Sequence, residues 1–190
     1  MTDEVELLPG DLENTFGDLY KSGAGTKLTI WDLIKKMILA SDNTAKNALR
    51  RQLTDEELNA IFAHVGIPNP YHNTDTDSQT VTSRDYIRIF KSLYFSTFLS
   101  PELSQKALDL TTDTEEESLI SAGVPPQIQV AHKFGESANG VSDCGIVYHP
   151  ASPYFLCIMV KTKRIEGKAL IGNLSKIIYD LIEEHQASPD

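Results

Sequence analysis

From Thr29 to about Leu110 apolar side chains recur in stretches at helical spacing, they switch to alternation beyond residue 126, and they return to helical spacing near the C-terminus. Before residue 25 there is little periodicity, and the spacing of Gly10, Gly17, Gly23 and Gly25 predicts turns and loop. Ile30, Leu33, Ile34, Met37 and Ile38 then lie one helical turn apart. With Thr29 and Asp32 as an opening cap, they predict a helix over about 29–40. A second helix is expected from Thr44 to Leu53. Thr54 with Glu57 opens a third, whose apolar face is Leu58, Ile61, Phe62 and Val65 and which Gly66 and Pro68 close. From Pro68 to Val81 the chain is polar and rich in turn formers, which predicts a loop. Thr82 and Asp85 reopen a helix with Tyr86, Ile89, Phe90 and Leu93 inward, and Ser100-Pro101 heads a short helix ending near Leu110. Thr111 to Ser118, with three consecutive glutamates, reads as a solvated surface connection.

After Pro125-Pro126, Ile128, Val130 and Ala131 lead a strand through Lys133 to a turn at Asn139-Gly140. Gly145 to Tyr148 and Tyr154 to Lys161 are two more strands, joined by His149-Pro150-Ala151-Ser152-Pro153. From about Lys168 to His185, a stripe of Leu170, Leu174, Ile177, Ile178 and Leu181 predicts a helix lying across the sheet. The fold class is therefore α+β: helices, then a three-strand antiparallel meander, then a covering helix. The longest apolar run, Tyr154 to Val160, is far shorter than the ~20 residues a spanning helix needs.

Charge narrows the partners. In 190 residues, 17 Lys and Arg face 27 Asp and Glu, a net charge of −10. That is the wrong sign for tracking phosphates, so neither nucleic acid nor anionic lipid is expected as a partner. The acidic opening Met-Thr-Asp-Glu-Val-Glu lacks the basic and apolar regions of an export signal. Cys144 and Cys157 lack the paired spacing of a zinc site, and lying in strand-like runs they read as buried thiols. His72, Asp75 and Asp77 fall in a solvated loop without the glycine and glutamate of a calcium-binding loop, and no metal or cofactor is called for.

Two clusters remain as candidate chemistry. Ser41, Asp42 and Asn43 stand at the junction of two helices, where short polar side chains either cap or face a cleft. Lys133-Phe134-Gly135 lies on a strand, where alternation aims Lys133 and Gly135 at one face and His132 and Phe134 at the other. A glycine there permits close approach of a ligand to the strand backbone. His132, turned away from Lys133, reads as a core or interface residue.

Ser-Asp-Asn in a helical region, followed some 90 residues later by a Lys-x-Gly strand, a hairpin and a C-terminal helix, resembles the class A β-lactamases and their penicillin-binding relatives. The stretch from Thr26 to Asn47 is similar to the class A family over its whole length, and the similarity runs from about residue 5 onward. The resemblance implies a β-lactamase/transpeptidase-like fold. A helical lobe (25–120) would carry Ser41-Asp42-Asn43, and a partial α/β lobe (1–24 and 121–190) would carry Lys133-Phe134-Gly135. It implies proton transfer through Ser41 and Lys133, amide binding by Asn43, and a loop held by Asp42. The substrate would lie along Gly135, Glu136 and Ser137, with one backbone amide of that edge as half of an oxyanion hole. The implied ligands are β-lactams or peptidoglycan peptides, and the implied location is extracytoplasmic.

Some features depart from the family pattern. Phe134 replaces a hydroxyl residue, Cys144 stands where many class A enzymes have an arginine, and Pro68 to Val81 contains no glutamate to serve as a deacylating base. No serine has a lysine three residues later, so the S-x-x-K nucleophile is absent from these residues. Ser41 is not expected to replace it, because in the family geometry it faces the substrate's nitrogen side. The sequence thus suggests an N-terminally incomplete domain, inactive as this chain. The apolar strand 154–161 would lack its outer neighbour, open to an N-terminal fragment or to self-association. The alternative is a non-catalytic binding or scaffold module on the same fold, assembling through that edge.

Overall fold

A computed structural model of the chain describes residues 2–67, 81–138 and 140–187. The loop expected over 68–81, with His72, Asp75 and Asp77, lies outside the described residues except for Val81. The elements are β1 (Glu4–Glu6), β2 (Lys27–Thr29), α1 (Ile30–Leu39), α2 (Asn43–Arg50), α3 (Asp55–His64), α4 (Ser83–Tyr94), α5 (Pro101–Thr112), β3 (Val130–Ser137), β4 (Gly140–Val147), β5 (Tyr154–Val160) and α6 (Arg164–Ala187). The caps read from sequence are in place. The hydroxyls of Thr29, Thr54, Thr82 and Ser100 accept from the backbone amides of Asp32, Glu57, Asp85 and Leu103. Among the described residues, no helix is long and apolar enough to cross a membrane.

The N-terminal segment is more ordered than its glycines suggest. β1 pairs antiparallel with β2, Val5 opposite Leu28. Val5, Leu7 and Leu19 share a core with Leu33 of α1 and with Ala45 and Ala48 of α2. Although the sequence reading groups residues 1–24 with the sheet lobe, this segment packs on α1 and α2. Its strands are three residues long, too short to leave a period in the sequence.

β3, β4 and β5 form an antiparallel sheet in that order. One face packs on α6 through Val130, Val141, Val147, Leu156, Ile171 and Tyr179. The other meets α4 and α5 through Ala131, Cys144, Ile146, Phe90 and Leu108. In register, Lys133 stands opposite Cys144, and Cys144 opposite Cys157. The two cysteines are therefore cross-strand neighbours, with Cα atoms 3.9 Å apart, and form a disulfide instead of the expected free thiols. Register is a long-range quantity that spacing along the chain does not reveal. Gly145 lets the two strands approach closely, since a Cβ there would fall 2.1 Å from the carbonyl oxygen of Ala131.

The 113–118 connection is less solvated than its glutamates suggest. Thr111 and Thr114 are buried, and Glu116 pairs with Lys168 of α6. Among the described residues β5 pairs only with β4, so its outer edge is open. On α6, Leu170, Ile177 and Leu181 of the stripe expected to cover the sheet are 44%, 55% and 58% exposed, and the helix packs on the sheet through Ile171, Ile178 and Tyr179 instead.

Candidate active site

The junction between α1 and α2 is built around Asp42, which is 1% exposed. One carboxylate oxygen caps α2 by accepting from the Ala45 amide at 2.9 Å, and the other accepts from the Leu19 amide at 2.9 Å. Gly17, at φ +78°, makes room for it, because a Cβ at that position would lie 2.1 Å from the Asp42 carboxylate. The Asn43 amide donates to the Phe16 carbonyl (3.1 Å), and Thr44 exchanges hydrogen bonds with the backbone of Glu13 (3.0 and 3.1 Å). Held from both sides, the chain passes through Ser41 in the left-handed region (φ 53°). A non-glycine residue there costs free energy that the surrounding bonds must supply, and such residues concentrate at functional sites.

Ser41 faces β3. The Lys133 ammonium donates to Ser41 Oγ across 92 residues of sequence and to the Phe134 carbonyl oxygen at 3.2 Å, and it stands 4.3 Å from the centre of the Phe134 ring. Burial lowers the Lys133 pKa to about 8, against an opposing pull from the Asp143 carboxylate. An ammonium in that range can release its proton near neutral pH, as a relay to or from the Ser41 hydroxyl requires.

These groups border a cavity of ≈ 360 Å³. Of the residues singled out in the sequence, Ser41, Asn43, Lys133, Gly135 and Glu136 line it. Asp42 is buried behind it. Ser137 lies beyond its end, bordering a neighbouring cavity of ≈ 750 Å³, with its hydroxyl donating to the Gly140 carbonyl at 3.4 Å. The Glu136 carboxylate lies 3.1 Å from Arg164 Nε at the start of α6.

Sequence reasoning missed the apolar wall. Phe16, Met37 and Ile38 line the cavity, and Phe16 meets Phe134 edge to face with ring centres 6.3 Å apart. Gly17 next to Phe16 was the available signal, a glycine whose conformation the junction needs. On the opposite face of β3, His132 is fully buried. Its Nδ1 donates to Asp143 at 2.9 Å, and its Nε2 lies 3.1 and 3.2 Å from the hydroxyls of Thr114 and Ser121. Burial opposes protonation of His132, but the bond to Asp143 and the charges of Asp143 and Glu117 prevail and raise its pKa. Asp143 also accepts from the Ile120 amide (3.0 Å), so this buried network ties the 114–121 connection to the sheet.

The chain matches the model of the β-lactamase enzyme family over residues 1–182. It is a member of that family. It is 24% identical over 185 residues to a β-lactamase of Bacillus licheniformis, aligning 88% of this chain and 60% of that protein, so the chain spans 60% of its curated relative's length. Among solved structures it is similar to PBP-A, with TM-score 0.89 and 26% identity over 96% of this chain and 72% of that one. A mutant of PBP-A, solved as an acyl-enzyme complex with penicillin G, matches with TM-score 0.86 over the same shares. A β-lactamase from Sphaerobacter thermophilus, 21% identical, shares the fold with TM-score 0.82 over 100% of this chain and 75% of its own. This family member therefore has the β-lactamase-like α+β fold.

Proposed function

We propose that this chain forms the substrate-recognition side of a β-lactamase or penicillin-binding site, taking β-lactams or peptidoglycan-type acyl substrates between Ser41-Asp42-Asn43 and Lys133 to Ser137. The observation that carries this reading is the Lys133–Ser41 hydrogen bond, which joins two distant segments across one cavity. In this reading Ser41 and Lys133 relay protons to the leaving nitrogen and Asn43 binds the substrate amide. Gly135, Glu136 and Ser137 present the strand edge to the substrate. The helical segment 25–120 and the sheet with α6 act as two lobes closing on the ligand. Because no Ser-x-x-Lys occurs in these 190 residues, the chain alone binds without turning substrate over. We place it outside the cytoplasm, in keeping with its disulfide. Calorimetry with benzylpenicillin tests the reading: binding that Asn43→Ala weakens by about tenfold supports it, and no binding refutes it. A covalent penicillin adduct on the isolated chain would refute the absence of a nucleophile.

The open β5 edge and exposed Leu170, Ile177 and Leu181 favour a second reading: the chain works as a binding module that assembles through this surface with an N-terminal fragment or a second copy. Size exclusion with light scattering tests it, since a stable monomer that binds no such fragment contradicts it.

A further inference from the structure

We infer that Ser121, His132 and Asp143 form a second nucleophilic site, on the face of β3 away from Lys133, which takes the acyl group of small uncharged esters. The site is independent of the function proposed above, since its cavity shares no described lining residue with the first.

The hydrogen bonds run in one direction. His132 Nδ1 donates to Asp143 at 2.9 Å, which leaves Nε2 of the neutral ring as an acceptor, and Ser121 Oγ lies 3.2 Å from it. A hydroxyl on one imidazole nitrogen and a carboxylate on the other is the arrangement that makes serine a nucleophile, and it is recognised by geometry on unrelated folds. The Thr114 hydroxyl also reaches Nε2 (3.1 Å), but Thr114 is buried, whereas Ser121 is half-buried and borders a cavity of ≈ 480 Å³. Of the two hydroxyls, Ser121 is the one a ligand can meet.

Ser121 is also held in place. It opens the turn Ser121–Gly123 directly after Ile120, whose amide donates to Asp143 (3.0 Å) and whose carbonyl accepts from Ser175 Oγ of α6 (2.9 Å). A Cβ at Gly123 would fall 2.5 Å from the Gly172 carbonyl oxygen, so the turn sits hard against α6. The carboxylate that orients the base thus also fixes the backbone beside the nucleophile.

In the reaction, Ser121 Oγ bonds to the ester carbonyl carbon as its proton passes to His132 Nε2; the carbon–alkoxy bond breaks, and the leaving alcohol takes that proton. Water then hydrolyses the acyl-serine by the same route and releases the acid. The imidazolium formed on the way is bonded to Asp143 and lies 3.9 Å from Glu117 Oε1, two carboxylates against the opposing charge of Lys133. Val124, Pro125, Ile128 and Val130 line the cavity with apolar surface, and Glu117 is the one charged side chain on it among the described residues. That lining suits a short apolar acyl group and does not draw an anion, so benzylpenicillin, a carboxylate, is not a substrate here.

Hydrolysis of p-nitrophenyl butyrate by the full chain tests this, with diisopropyl fluorophosphate as a probe whose phosphorus bonds to an activated serine as fluoride leaves. Nitrophenolate release is expected to fall by about a hundredfold in Ser121→Ala, and the phosphoryl adduct to map to Ser121 by peptide mass spectrometry. Release no faster than free imidazole gives, release unchanged in Ser121→Ala, or an adduct elsewhere or nowhere overturns the inference and leaves the proposed function standing. His132→Gln, checked for folding by circular dichroism, should lose the adduct, and a folded variant that labels Ser121 at the parent rate also overturns it. If a variant does not fold, the unaltered chain decides: Ser121 labelled in the native but not the urea-unfolded state supports the site, and equal labelling of both overturns it.

Discussion

Asp42→Ala tests how the candidate site is held. The buried carboxylate accepts two amides, one capping α2 and one from Leu19 in the N-terminal segment. Loss of the cap costs about 1 kcal/mol. The buried Leu19 amide, left without an acceptor, costs about 1–3 kcal/mol more. Urea unfolding should therefore show a loss of about 2–4 kcal/mol at unchanged m-value. Gly17→Ala should destabilise the chain strongly, since its Cβ would meet the Asp42 carboxylate at a positive φ. In the Asp42→Ala background the same change should cost less, because the clash with the carboxylate is gone, leaving the contact with the Cβ of residue 42 at 2.5 Å and backbone strain of about 1–2 kcal/mol. An Asp42→Ala variant within 0.5 kcal/mol of the parent, an ordinary effect for a surface substitution, would refute the claim that this carboxylate organises the junction.

Other tests follow from the buried groups. His132 has a raised pKa, so its contribution to stability is complete below the unfolded value of 6.5 and is lost as pH rises through the folded value; Asp143→Asn should flatten that part of a stability-versus-pH curve. Lys133 has the opposite sign: above about pH 8 the native chain has released a proton that the unfolded chain still holds. Stability should therefore rise with pH toward the ordinary lysine value of 10.5, and Lys133→Met should remove the rise. Reducing the Cys144–Cys157 disulfide, which closes a loop of sequence separation 13, should lower stability by about 2–4 kcal/mol in thermal or urea unfolding, and an unchanged midpoint would contradict it.

Much of this architecture was legible because it is local. Thr29, Thr54, Thr82 and Ser100 cap helices through hydroxyls bonded three residues ahead, a signal contained within one turn of sequence. Alternation along β3 placed His132 and Lys133 on opposite faces, as found, but it also turned Phe134 away from Lys133, whereas the Phe134 ring lies beside the Lys133 ammonium and lines the same cavity. What was not legible depends on pairing between distant segments. The Cys144–Cys157 bridge follows from strand register, and the β1–β2 pair is too short to show a period. α3 shows the limit from the other side: its apolar positions have helical spacing, yet none is fully buried, because spacing reports which face is apolar and not what covers it. In the candidate site, Ser41, Asn43 and Lys133 stood out by residue type. Phe16 did not, because it reaches the cavity only through a loop held by Asp42 and Gly17.

The central claim, that the α1–α2 junction and β3 are two walls of one ligand site, is tested most directly by nuclear magnetic resonance of the nitrogen-labelled chain titrated with benzylpenicillin. The account predicts that amide signals of Ser41 and Asn43 move together with those of Lys133 to Glu136, along a single binding curve. Movement confined to one wall, or elsewhere on the surface with both walls still, would contradict it.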